Sequence, residues 1–216
     1  MALILHAHPL SSFCHKALVA LYELGLPFEQ RLVNFGDPDS VAAFRALWPV
    51  AKMPVLEDTD RGQVVPESSI LIEYLQIHHP GAPRLIPDDP AAALEVRARD
   101  RFFDLHVQVP MQKIVNDRIR PADAKDPHGL AEARTALSTA LDVVEHDMES
   151  RPWAAGETFS MADCAAAPAL FYADKIAPLA PDRPNAAAYL RRLKARPSYA
   201  RALAEAAPFF AMFPTA

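Results

Sequence analysis

The sequence predicts an α/β domain with a mixed four-stranded sheet, followed by an all-helical domain. Three observations carry that reading. Strand-like and helix-like segments alternate through the first eighty residues. A stretch with four prolines (Pro80, Pro83, Pro87, Pro90) then interrupts the pattern. Beyond it only helical periodicities recur.

The elements follow in order. Leu3, Ile4 and Leu5 form an apolar run that ends at Pro9 and two serines. Phe13, Ala17, Leu18, Leu21 and Leu24 recur at the spacing of one helical face, with Ser11 or Ser12 as N-cap and Gly25 and Pro27 as the stop. Phe28–Val33 reads as a second strand, Ser40–Leu47 as a short helix, and Pro54-Val55-Leu56 opens a third strand. The turn cluster Asp58–Gly62 leads into Gln63-Val64-Val65, which makes a hairpin. Glu67–His78 reads as a helix with Ile70, Leu71, Tyr74 and Leu75 on its buried face. A βαβ unit gives parallel strands and a tight hairpin gives antiparallel ones, so the sheet is expected to be mixed. The domain boundaries are placed at 1–79 and 91–216, with 80–90 as linker. Helices are expected at Ala91–Asp117, with a kink at Pro110, and at Leu130–Ser150, Met161–Ile176, Asn185–Ala195 and Ser198–Ala206. Ser160-Met161-Ala162-Asp163 carries a short variant of the capping box.

Composition narrows the function. Of 216 residues, 51% are hydrophobic and 23% charged, enough apolar material for a folded core. A net charge of −5 argues against a nucleic-acid partner, which needs a basic stripe to neutralise phosphates. The apolar run Ala2–Leu5 is too short for a signal peptide, and Cys164–Ala173 is about half of the ~20 residues that span a membrane. A cytoplasmic protein with no membrane partner is expected. Cys14 and Cys164 are too few for a disulfide scaffold or a four-thiolate zinc site, and the histidines lack a metal-ligand framework, so no metal is expected. The 6 glycines are scattered and form no phosphate cradle.

Ser11-Ser12-Phe13-Cys14 follows a strand and opens a helix, where unpaired N–H groups and the helix dipole favour an anion. A serine hydroxyl there can donate to a thiolate without itself ionising. On the tetrapeptide alone, the simpler role of these serines is to cap the helix.

Taken together, His8-Pro9-Leu10-Ser11-Ser12-Phe13-Cys14-His15-Lys16, Lys52-Met53-Pro54-Val55-Leu56, Glu67–Leu75, Phe159–Asp163, Asn185–Leu190 and Ala195–Tyr199 resemble the cytosolic glutathione S-transferase family, in its bacterial, serine-type form. The resemblance implies a thioredoxin-like N-terminal domain that binds glutathione as co-substrate. It also implies a helical domain that forms most of the electrophile pocket, and a homodimer. Ser11 matches the catalytic serine, with Ser12 as its adjacent rival. Ser11, Phe13, Lys52, Met53, Pro54, Glu67 and Ser68 match the glutathione-binding positions, and Pro54 matches a cis-proline. Trp48-Pro49-Val50-Ala51 departs from the usual Asn-Pro-x-Gly before Lys52. Ser11 stands where a CxxC motif ending at Cys14 would need cysteine, which disfavours dithiol exchange. For the electrophile pocket, Phe103, His106, Val107, Pro110 and Lys113 on the first long helix are the candidates, with the apolar tail Phe209, Phe210, Met212 and Phe213 placed to cap a cleft. The implied activity is a glutathione transferase that directs the thiolate at a hydrophobic electrophile, in a detoxification role. The alternatives are a non-catalytic glutathione- or ligand-binding protein, and a glutathione-dependent oxidoreductase or isomerase.

Overall fold

Four strands form one sheet in the order β2–β1–β3–β4 in the computed structural model, which describes residues 3–214. The first part of the chain runs β1 (Leu3–Ala7), α1 (Ser12–Glu23), β2 (Glu29–Leu32), α2 (Pro38–Leu47), β3 (Val55–Asp58), β4 (Gln63–Pro66) and α3 (Ser68–His78). β1 pairs parallel with β2 and antiparallel with β3, and β3 pairs antiparallel with β4. The crossover through α1 makes the first pair parallel, and the β3–β4 turn, with Gly62 at φ 60°, makes the last antiparallel. β1 is buried at every position, whereas the edge strand β2 is exposed throughout. β2 is shorter than the Phe28–Val33 expected, with Phe28 and Val33 turned to packing just outside it.

The helix expected from Glu67 starts at Ser68, because Glu67 sits at φ 68° and ψ 114°, which no helix continues. Its buried face is Leu71, Ile72 and Leu75. Ile70 is 55% exposed and Tyr74 only partly covered, so the face is rotated from the one expected.

The remainder is helical: α4 (Pro90–Phe102), a π-helical turn at Phe103–Gln108, α5 (Val109–Ile119), α6 (Pro127–Asp147), α7 (Met161–Ile176), α8 (Pro184–Ala195) and α9 (Pro197–Ala206). The single helix expected over Ala91–Asp117 is therefore two, joined by the π turn that precedes Pro110. Pro110 lacks the N–H a regular helix would use, and the ladder loosens one turn before it, where the Val109 N–H bonds to the Asp104 carbonyl five residues back. α4, α6, α8 and α9 each begin on a proline. Proline is tolerated in the first helical position, so these helices start one to three residues before the starts expected from breaks at proline.

One hydrophobic cluster runs from Leu3 in the sheet to Ala202 in α9. α7 holds it together, with nearly every side chain from Met161 to Ala173 buried. Its start is fixed by Asp163, whose carboxylate accepts from the Ala154 and Ser160 N–H groups, both at 2.9 Å, and from the Tyr189 hydroxyl at 2.5 Å. Lys16 of α1 is 1% exposed and ties the sheet layer to the helices. Its Nζ donates to Asp104 Oδ2 at 2.7 Å and Ser69 Oγ at 2.8 Å, and lies 2.6 Å from Asp100 Oδ1.

Candidate functional site

Strand register brings three separated segments to one edge of the sheet. His6 of β1 pairs with Val55 of β3, and Val55 pairs with Pro66 of β4. The chain that leaves β1 toward Ser11, the Met53–Pro54 peptide that enters β3, and Glu67–Ser68 leaving β4 therefore emerge side by side. Two strand spacings separate the outer pair, about 10 Å, comparable to an extended tripeptide. The Met53–Pro54 peptide is cis.

Ser11 is the N-cap of α1: its Oγ accepts the Cys14 N–H at 3.3 Å. That bond occupies one acceptor position of a half-buried hydroxyl whose proton can still be donated. Ser12, the first residue of α1, is buried, at 6% exposure. Burial pushes the Cys14 thiol up to about 11, against weaker downward pulls from the Ser11 side chain and the His8 backbone. Cys14 is thus a neutral thiol at neutral pH and packs as core, not as a nucleophile. His15 is fully buried behind it, its Nε2 2.6 Å from the Pro9 carbonyl, which fixes the loop ahead of the serines.

Glu67 is exposed and makes no side-chain cap, while Ser68 opens α3 and is buried. Both lie where the unpaired N–H groups of α3 begin. Ala51 adopts φ 54°, the left-handed conformation that glycine would hold there without strain. The loop keeps its turn despite the substitution, and Lys52 beyond it is exposed. Phe13 is half-buried and lines, with Ser12, Lys16, Asp104 and Gln108, a narrow crevice under the start of α1.

On the other side of Ser12 lies a cavity of about 270 Å³, walled by Gln108, Met111 and Val115 from the π turn and α5, Tyr172 from α7, and Phe213 from the tail. Of the residues expected for an electrophile pocket, Met212 and Phe213 of the tail line it, whereas Phe103, His106, Val107, Pro110, Lys113, Phe209 and Phe210 do not. Phe103 and Val107 are core residues, 3% and 0% exposed, and His106 points to solvent. Pro110 is half-buried away from the cavity, and Phe210 packs on Phe171 with ring centres 5.5 Å apart. The π turn explains the shift. Its wider winding changes the face that the following residues present, so Gln108, Met111, Gln112 and Val115 form the lining stripe. From the tail, Phe213 closes the wall, its ring 5.4 Å from that of Tyr172.

Gln108 and Tyr172 had no signal in sequence, since each falls within a helical pattern that reads as core. His6 bonds Glu57 and His8 Nδ1 accepts the Leu10 N–H. Among the described residues no three His, Cys, Asp or Glu side chains converge on a common point, and no helix is long and apolar enough to cross a membrane.

Residues 5–83 match the family model for the glutathione S-transferase N-terminal domain, and residues 127–192 that for its C-terminal domain. The chain is 32% identical over 162 residues to the glutathione S-transferase-like protein LUC7 of a Fusarium species, covering 73% of this chain and 71% of that one. It is 30% identical over 212 residues to the FtsZ-localized protein A of Caulobacter vibrioides, covering 94% and 92%. Among solved structures, it is similar to a glutathione S-transferase from Methylobacillus flagellatus with glutathione bound. The TM-score is 0.84 at 26% identity, covering 93% of this chain and 98% of that one.

Proposed function

The chain belongs to the glutathione S-transferase family, and on that premise we propose that it binds glutathione at the shared sheet edge and delivers its thiolate to a hydrophobic electrophile in the cavity beside Ser12. One observation carries the reading: the register His6–Val55–Pro66, which aligns the Ser11, Met53–Pro54 and Glu67–Ser68 segments over the reach of a tripeptide.

Each segment has a chemical task in this reading. The Met53 backbone pairs with the cysteinyl backbone of glutathione as an added strand. Glu67 receives the γ-glutamyl ammonium, and the Ser68 hydroxyl with the first N–H groups of α3 meets the carboxylate. Lys52 faces the glycyl carboxylate, and Phe13 flanks the peptide. Ser11 donates its remaining proton to the sulfur, aided by the dipole of α1. Each unit by which the bound thiol pKa falls favours the thiolate by about 1.4 kcal/mol. Holding both reactants adjacent supplies the rest of the acceleration. The division into a glutathione-binding domain (1–79), a linker (80–90) and a helical domain (91–216) belongs to the same proposal, as does a cytoplasmic location.

Calorimetry with glutathione tests the binding step, and the thiolate absorbance of the bound peptide against pH tests the role of Ser11. Wild type is expected to bind and to ionise the thiol below its solution pKa, while Ser11→Ala keeps binding and loses most of that shift. No binding by wild type refutes the reading.

The relative named for its localisation with FtsZ supports a second reading, a glutathione-binding protein without transferase turnover. Tight glutathione binding with no turnover across a broad electrophile panel would favour it. We also propose a two-fold homodimer through α3 and α4, whose outward faces leave Ile70, Ile77 and Leu94 55%, 69% and 67% exposed. Sedimentation as a monomer at micromolar concentration would refute that arrangement.

A further inference from the structure

Two histidines pin the loop that leads from β1 into α1. His8 holds it from within: its Nδ1 accepts the Leu10 N–H at 3.1 Å, and its carbonyl accepts the Ser11 N–H at 3.0 Å. His15, in the first turn of α1, holds the loop from behind. Its main-chain N–H donates to the Ser11 carbonyl at 3.0 Å, and its ring Nε2 lies 2.6 Å from the Pro9 carbonyl in a buried contact. A carbonyl only accepts, so Nε2 carries the proton of this bond. Burial lowers the affinity of the ring for a second proton, outweighing the opposite pulls of the Pro9 carbonyl and the Glu205 charge. Nδ1 has no partner among the described residues. The ring is therefore a neutral imidazole whose single N–H is committed to Pro9.

The helical part of the chain fixes the direction of that ring. Tyr172 of α7 and Tyr199 of α9 pack on it, each with its ring centre 6.0 Å away. At the other end of α1, Glu23 accepts two bonds from Arg196 at 2.7 Å and a further one from the Ser198 hydroxyl. The Ala195–Tyr199 motif, to which the sequence attached no task, thus grips α1 near its start and at its end. We propose that His15 is a positioning residue for the thiolate site: from inside the core it holds the Pro9 carbonyl, and so sets where the Ser11 hydroxyl stands. The proposal rests on the transferase reading, and it places the control of Ser11 in the packing of α7 and α9 on α1. His15 touches neither the peptide nor its sulfur in this account and acts only through Pro9 and Ser11. Without the ring N–H the buried Pro9 carbonyl is left unpaired, which is costly. Its peptide then turns toward water and carries Leu10 and Ser11 with it. A donor to a thiolate tolerates misplacement of only about half an ångström, so ionisation of the sulfur suffers before binding does.

The test reads the thiolate absorbance of bound glutathione against pH in wild type, His15→Leu, His15→Gln and His15→Asn. The amide of glutamine reaches the place of Nε2 and keeps the bond to Pro9, whereas that of asparagine ends near the place of Nδ1 and does not. His15→Leu and His15→Asn are expected to leave about tenfold less thiolate at a fixed pH below the bound pKa. Their dissociation constants for glutathione should change by less than about threefold. His15→Gln should restore most of the thiolate. Adding His15→Leu to Ser11→Ala should remove no further thiolate, because the histidine acts through that serine. An unchanged thiol pKa in His15→Leu, an Asn variant equal to the Gln variant, or the same loss with and without Ser11 overturns the proposal. Should His15→Leu not fold, the other two variants decide alone: less thiolate in Asn than in Gln supports the proposal, and equality overturns it. Calorimetry and titration of wild type separate this from failure of the transferase reading. That failure appears as no binding or an unshifted thiol in wild type itself, whereas failure of the positioning role leaves both intact there.

Discussion

Replacing Lys16 by methionine is expected to destabilise the fold by about 3 kcal/mol at neutral pH. The ammonium is 1% exposed and lies 2.6–2.8 Å from Asp100, Asp104 and Ser69. Removing one partner of a buried ion pair costs about 3–5 kcal/mol, because the remaining charge is left uncompensated. Arg101, half exposed, also contacts Asp100, Asp104 and Ser69 and retains part of the compensation, which places the loss at the low end. Two charge-assisted hydrogen bonds at about 1.5–3 kcal/mol each give the same scale. The loss also depends on pH. Burial holds the Asp104 carboxyl above the usual range, with Lys16 opposing the rise and the Asp100 charge adding to it. A carboxyl raised in the fold binds its proton more tightly folded than unfolded. Its contribution to stability therefore falls as pH rises from the ordinary carboxylate value through the folded one. Without Lys16 that window widens toward neutrality, so the deficit of the variant is smallest near about pH 5 and larger near about pH 8. Urea titrations at both pH values read it as a shift in midpoint at constant slope. A neutral-pH loss under about 1 kcal/mol, or a deficit that grows on acidification, would refute the electrostatic account.

Neither Cys14 nor Cys164 is expected to react with a water-soluble disulfide reagent in the native state at about pH 8, since both are fully buried and burial raises both thiols. Rapid native-state labelling of Cys14 would revive the oxidoreductase reading. Ala51→Gly is expected to stabilise the protein by about 0.5–1 kcal/mol through relief of the left-handed backbone at φ 54°, offset in part by chain entropy. A drop in melting temperature would contradict it. Asp163→Ala strands two backbone N–H groups and the Tyr189 hydroxyl in the core, and a loss of at least about 3 kcal/mol is expected by chemical denaturation.

Much of the scaffold was legible because its signals are local. The alternation of strand and helix, the turn at Asp58–Gly62 and the proline-rich stretch after His79 each depend on a few neighbouring residues. The capping box predicted at Ser160–Asp163 forms as written. Errors at helix starts came from reading Pro90, Pro127, Pro184 and Pro197 as breaks, when each occupies a first turn. The rotated face of α3 has another cause. Ile70, Tyr74 and Ile77 are as apolar as the residues that are buried, so periodicity alone did not separate the core face from the outer one.

The order of segments and the mixed sheet follow from residue type and spacing, because helix, strand and turn propensities act over a few residues, and the family was legible only as a resemblance of whole motifs to known proteins. The cavity wall obeyed a different rule. A π turn at Phe103–Gln108 reset the helix phase, moved Phe103, His106, Val107 and Pro110 off the cavity and brought Gln108 and Met111 onto it. The partnerships of Lys16 with Asp104, and of Asp163 with Tyr189, likewise join residues far apart in the chain. Such contacts depend on how whole elements pack against one another, and one misplaced residue in a helix turns a lining side chain by about 100° into the core or the solvent.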